Sequence, residues 1–107
     1  ALLIMPCTGN TIAKLALGVT DSAVTMAAKA QLRNERPVVL AISTNDALAG
    51  NAKNIGELLA RRPYYFVPFR PDDPQGKPRS LVADFSRAEQ TVKAALEGRQ
   101  LQPLLAV

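Results

Sequence analysis

Two short segments carry most of the side chains suited to chemistry. Pro6-Cys7-Thr8-Gly9-Asn10-Thr11 follows an apolar run and opens a helix-like pattern. Ser43-Thr44-Asn45-Asp46 follows a second apolar run. Both are expected at the carboxyl ends of strands, where open α/β sheets bind ligands. In the first, the free N–H groups of a helix start can hold an anion. Gly9 lets a ligand approach the backbone closely, and Thr8, Asn10 and Thr11 add donors and acceptors. The alternative is a plain helix start capped by Thr8 or Asn10. For the second segment the alternative is a turn and N-cap, with Asp46 as cap or as acid/base. Asp21, the other nearby carboxylate, reads as a helix cap. Cys7 has no His to activate it, because the chain contains none, and reads as a small buried hydrophobe. One Cys and no His also argue against a zinc or iron–sulfur site.

The elements that must position these segments are legible as apolar patterns. Residues 2–5, 38–42 and 64–67 are continuous apolar runs, expected as parallel strands covered on both faces. Pro37 and Pro63 separate the second and third runs from the helices before them. A helix is expected over 10–19, with Ile12, Leu15, Ala16 and Val19 on one face. A second, capped by Thr20 or Asp21, should run to about Asn34. A third is expected over 52–62, with Ile55, Leu58 and Leu59 apolar and Arg61 and Arg62 as a solvated end. Tyr64 and Tyr65 read as core and sheet-end packing. Ser86 and Glu89 have capping-box spacing, ahead of a stripe of Ala88, Val92, Ala95 and Leu96. The polar, Pro-rich stretch 70–78 reads as a loop, either a connector or a site cover. This alternation predicts an α/β fold with a parallel sheet in three layers. The chain opens without Met, directly in a strand-like run. That is expected of the C-terminal part of a single larger domain, with residues 1–107 as one unit and the first strand pairing with strands outside this sequence or with a second copy.

Composition narrows the function classes. Of 107 residues, 48% are apolar and 21% charged, an ordinary globular mixture. No apolar run reaches the roughly 18 residues that span a bilayer, and no signal peptide is expected. The lone Cys7 fits a reducing cytoplasm. The net charge is +4, but the basic residues are scattered and form no run with interleaved aromatics. A small anionic ligand is therefore favoured over nucleic acid.

With those residues in view, residues 6–16, together with Gly18 and Asp21, resemble the "PASANT" motif of the flavoprotein family that contains the cysteine decarboxylases and flavin prenyltransferases. Ile42-Ser43-Thr44-Asn45 stands where that family has Pro-Ala-Met-Asn, and only the Asn matches. The departures, among them Thr20-Asp21-Ser22, Arg36-Pro37-Val38-Val39-Leu40, Asp46-Ala47-Leu48, Asp72-Asp73-Pro74 and the tail 100–105, resemble the branch formed by dipicolinate synthase B subunits.

The resemblance implies a flavodoxin-like fold and FMN bound between protomers of a trimer-based homo-oligomer. It implies that Thr8, Gly9, Asn10, Thr11 and Ser43 contact flavin, and that Asn10, Thr44 and Asn45 contact substrate. Asn10 and Asp46 are then the candidate catalytic groups, Asp46 for proton removal. The implied reaction is oxidation of a dihydrodipicolinate-type dicarboxylate to dipicolinate, in the mother-cell cytoplasm of a spore former. The implied partner is the A subunit of dipicolinate synthase, with NAD(P) held there as the alternative hydride acceptor to flavin. The alternatives are a flavin-dependent decarboxylase or prenyltransferase and a non-catalytic assembly subunit.

Overall fold

The core is built on β2 (Val38–Thr44), whose residues 38–42 are all buried. In the computed structural model, which describes residues 1–105, β2 is flanked by two parallel strands, β1 (Leu2–Cys7) and β3 (Tyr64–Phe66). One sheet face buries Val38, Leu40 and Ile42 against α1 (Gly9–Leu17), α2 (Ala23–Arg33) and α3 (Ala52–Leu59), through Ile12, Leu15, Ala28, Ile55 and Leu58. The other buries Val39 and Ala41 against Ala88 and Ala95 of α4 (Ala88–Leu96). Helices on both faces give the expected three layers.

The sheet itself is mixed, which corrects the all-parallel expectation. Phe69–Asp73 (β4) and Lys77–Ala83 (β5) form an antiparallel hairpin, and β5 pairs antiparallel with Ser43 and Thr44 at the end of β2. The stretch expected to be a loop is therefore largely strand. Pro71 and Pro78 are tolerated because the hairpin lies at the sheet margin, where ladder N–H groups are dispensable.

Coverage on both faces holds for β2 but not for β1. Leu3 and Met5 are 37% and 47% exposed. Among the described residues β1 pairs with β2 alone. The edge of β3 is closed differently: the Gln100 amide accepts from Phe66 N at 2.8 Å and donates to Phe66 O at 2.6 Å, as a neighbouring strand would.

Helix ends depart from the sequence reading in instructive ways. The cap of α2 is Ser22, not Thr20 or Asp21. Its hydroxyl accepts from Thr25 N at 3.2 Å while Thr25 Oγ1 accepts from Ser22 N at 3.0 Å. This is a capping box with Thr in place of the usual Glu or Gln. Asp21 instead pairs with Lys14 at 3.0 Å. Ser22→Ala should cost about 1 kcal/mol, seen as a lower urea midpoint with unchanged slope; an unmoved midpoint would deny the box its role.

Helix α3 ends at Leu59, and Arg61 is not a solvated end. It donates to the carbonyls of Leu15 at 3.2 Å and Ala16 at 2.7 Å, satisfying the last turn of α1. Arg62 is exposed, as expected. The first helix ends at Leu17 with Gly18 as a left-handed cap, so Val19 lies beyond it and is 40% exposed, while Leu59 falls off the buried face of α3 at 42% exposure. The expected Ser86–Glu89 box does not form. Ser86 donates to Asp84, which caps a short 3-10 turn (Phe85–Arg87) leading into α4. Glu89 pairs with Lys93 at 3.4 Å. In α4 the buried face is Ala88, Thr91, Ala94 and Ala95, while Leu96 is exposed.

Candidate functional site

The first segment bends from β1 into α1 through Thr8, whose extended backbone makes it the N-cap. Its hydroxyl accepts from Thr11 N at 3.4 Å and donates to Thr11 Oγ1 at 3.3 Å. The first turn of α1 has no acidic residue, so nothing there opposes an anion. Thr8 and Asn10 are exposed and Thr11 is half-buried.

The second segment leaves β2 held by the hairpin. Ser80 donates from its hydroxyl to Thr44 O at 3.2 Å, and Leu48 N donates to Arg79 O at 3.0 Å. Ser43 and Asn45 remain exposed on the rim. Asp46 turns inward. Its Oδ1 accepts from Thr44 Oγ1 at 2.5 Å and from Asn51 Nδ2 at 3.0 Å. These bonds favour the charged form and hold the Asp46 carboxyl below its usual range, the Asn51 bond contributing most. A carboxylate so engaged is a weak base, and its geometry is that of an anchor.

The two segments meet at Gly9. A Cβ there would lie 2.8 Å from Thr44 Oγ1, 2.8 Å from Asn51 Nδ2 and 3.4 Å from Asp46 Oδ1. The glycine thus admits the polar cluster of the neighbouring turn. Cys7, just before, is fully buried, and burial pushes its thiol up to about 12, so it is a packing residue and not a nucleophile.

The lowered pKa carries a pH consequence. Asp46 is depressed in the folded chain, so its contribution is present above the unfolded carboxyl's 3.8 and is lost as pH falls through the lower folded value. Acid unfolding of Asp46→Asn should accordingly be less steep below pH 3.8 than that of the unaltered protein. Superimposable acid limbs would contradict this.

The exposed groups Thr8, Asn10, Ser43 and Asn45 form an open rim rather than an enclosed cavity. A hollow of about 220 Å³ lies elsewhere, between α1 and α2, lined by Lys14, Lys29, Arg61 and Tyr64 among others. A larger one, about 500 Å³, is lined by Glu35, Arg62, Pro63 and Tyr65 at the amino ends of β2 and β3.

Sequence patterns did not single out Asn51 or Ser80, and gave Arg61 no partner. Asn51 is 7% exposed. Its only local signal is an Asn ahead of a helix, and its side chain makes no cap bond.

A three-layer α/β domain with a helix start and a polar turn side by side at the strand carboxyl ends is the architecture of nucleotide- and flavin-type binding proteins. The chain belongs to the flavoprotein family, whose pattern matches residues 1–90. It is 52% identical over 104 residues to the B subunit of dipicolinate synthase from Bacillus subtilis (strain 168), covering 97% of this chain and 52% of that protein. The crystal structure of the dipicolinate synthase B subunit from Bacillus halodurans C superimposes with a TM-score of 0.97 at 52% identity, covering 98% of this chain and 54% of that one. The chain thus spans about half the length of these relatives.

Proposed function

We propose that this chain provides one wall of the FMN and substrate site in a dipicolinate synthase of the B-subunit type. The observation that carries the reading is the meeting of the two strand-end segments at Gly9. The 52% identity to two B subunits supports the choice of reaction. The residues present suit such a ligand: a helix start free of carboxylates, with exposed hydroxyl and amide side chains beside it.

In this reading the first N–H groups of α1, with Thr8 and Thr11, hold an anionic or carbonyl edge of the flavin. Ser43 contacts the flavin from the second turn. Asn10 and Asn45 orient a substrate carboxylate; Thr44, first expected beside them as a substrate contact, gives its one hydroxyl proton to Asp46 and supports the turn from beneath. Asp46 fixes Thr44 and Asn51 and does not remove the proton. Aromatisation of a dihydropyridine dicarboxylate takes away a hydride equivalent and a proton, and FMN, when bound, supplies a hydride acceptor. The A subunit is the proposed partner, able to hold NAD(P), within a trimer-based assembly in the cytoplasm. A flavin-sized ligand needs a more enclosed pocket than an open rim, so groups outside residues 1–105 complete the site.

Asn10 is exposed, so its loss should spare the fold. Asn10→Ala in the intact protein is expected to weaken FMN or dicarboxylate binding roughly tenfold, with an unchanged unfolding midpoint. Unaltered binding and turnover would remove Asn10 from the site. Full activity of the A subunit on addition of flavin-free protein would favour the assembly role, and turnover of a peptidyl-cysteine would favour a decarboxylase.

A further inference from the structure

We infer that Asn51 is a positioning residue of this site, acting through Asp46 and Gly9 and touching no ligand; the inference rests on the reading of the rim given above. Asn51 sits at the start of α3, 42 residues away from Gly9 in sequence and 7% exposed. A helix-start Asn ordinarily caps its own helix. This one makes no cap bond. Its side chain is spent on three other contacts. Nδ2 donates to Asp46 Oδ1 at 3.0 Å, Oδ1 accepts from Asn54 Nδ2 at 2.9 Å, and Nδ2 lies 2.8 Å from the point where a Gly9 Cβ would be.

The consequence is geometric. The same oxygen of Asp46 also accepts from Thr44, so the Asn51 donor and the Thr44 hydroxyl converge on one atom. Together they form the surface on which Gly9, the first residue of α1, rests. The backbone doubles the link: Asn51 N donates to Asp46 O at 3.1 Å, and Ile55 N donates to Asn51 O at 2.9 Å. A rigid helix, α3, is thereby tied to both segments of the rim, and the spacing of Thr8–Thr11 from Ser43–Asn45 is set by one buried amide. Sites built on such supports hold ligand groups to a fraction of an ångström, and loosening the support costs affinity with the contact residues intact.

Three variants of the intact protein test this. Asn51→Asp is isosteric; it replaces the donor with an acceptor and faces Asp46 with a second carboxylate. Asn51→Ala removes the side chain. Asn54→Ala removes one bond to Asn51 from the half-buried side and perturbs folding least. FMN affinity, followed by quenching of flavin fluorescence, should fall about tenfold or more in Asn51→Asp, several-fold in Asn51→Ala and least in Asn54→Ala. Amide hydrogen exchange without flavin should quicken at Thr11, Ile12 and Asp46 in the same order, while the amides of β3 are unchanged. Exchange and affinity both equal to the unaltered protein in Asn51→Asp would overturn the assignment. The exchange measurement does not depend on flavin. If the unaltered protein binds no FMN, the functional reading fails, and quickened exchange confined to the rim still separates a positioning role from general loosening of the core.

Discussion

Gly9→Ala should lower stability by about 1–3 kcal/mol and remove most flavin affinity, although glycine is one of the poorer residues for a helix. On propensity alone the change is favourable, by up to about 1 kcal/mol at a helix interior. The local geometry decides otherwise. The new Cβ meets Thr44 Oγ1 and Asn51 Nδ2 at 2.8 Å. Both atoms are committed to Asp46, so neither can retreat without breaking a hydrogen bond to a carboxylate. Either α1 lifts from the turn or the cluster opens, and both move Thr8–Thr11 relative to Ser43–Asn45. Denaturant unfolding and FMN titration of the same sample check the two parts. A stabilised variant that binds normally would mean that the contact is soft.

Phe66→Ala should show the largest stability effect, about 3–5 kcal/mol. Phe66 is the largest side chain among those fully buried. It lies on β3, in the layer beneath α1–α3, and meets Phe69 edge to face at a centroid distance of 6.2 Å. Its loss removes that contact, worth about 0.5–1.5 kcal/mol beyond area burial, and leaves a void that β3 cannot close, because Gln100 holds its edge. A domain with about 5–15 kcal/mol of total stability gives up a large share. A chemical denaturation midpoint unchanged within error would show that the neighbourhood collapses to fill the space.

What the sequence disclosed and what it hid divide along physical lines. β2 was legible because a strand buried on both faces must be apolar at every position, as 38–42 are. The starts of α1 and of the polar turn were legible because both follow such strands. The hairpin was not. Its strands, FRPDD and KPRSLVA, lie at the sheet margin, carry charge and proline, and have no apolar run for much of their length. Their pairing comes from the end of β2, a contact between residues nearly forty apart. The cap of α2, expected at Thr20 or Asp21, is Ser22: all three are competent caps, and only Ser22 has Thr25 three residues on to complete the box. Arg61 reads as a solvated cation until α1 is folded beside it. The same holds for Asn51: its importance lies in a partner five residues back and a glycine far away in sequence, and neither follows a helical or strand period. The rim's polar groups were thus visible as residue types, whereas the scaffold that spaces them was visible only in three dimensions.

We propose that the rim formed by Thr8–Thr11 and Ser43–Asn45 faces a flavin. The visible absorption spectrum of the intact protein, before and after incubation with FMN and removal of free flavin, tests it most directly. The expected result is two flavin bands shifted from those of free FMN, release of one FMN per site on denaturation, and loss of both bands in Gly9→Ala. A colourless protein that takes up no FMN under any of these conditions would contradict it.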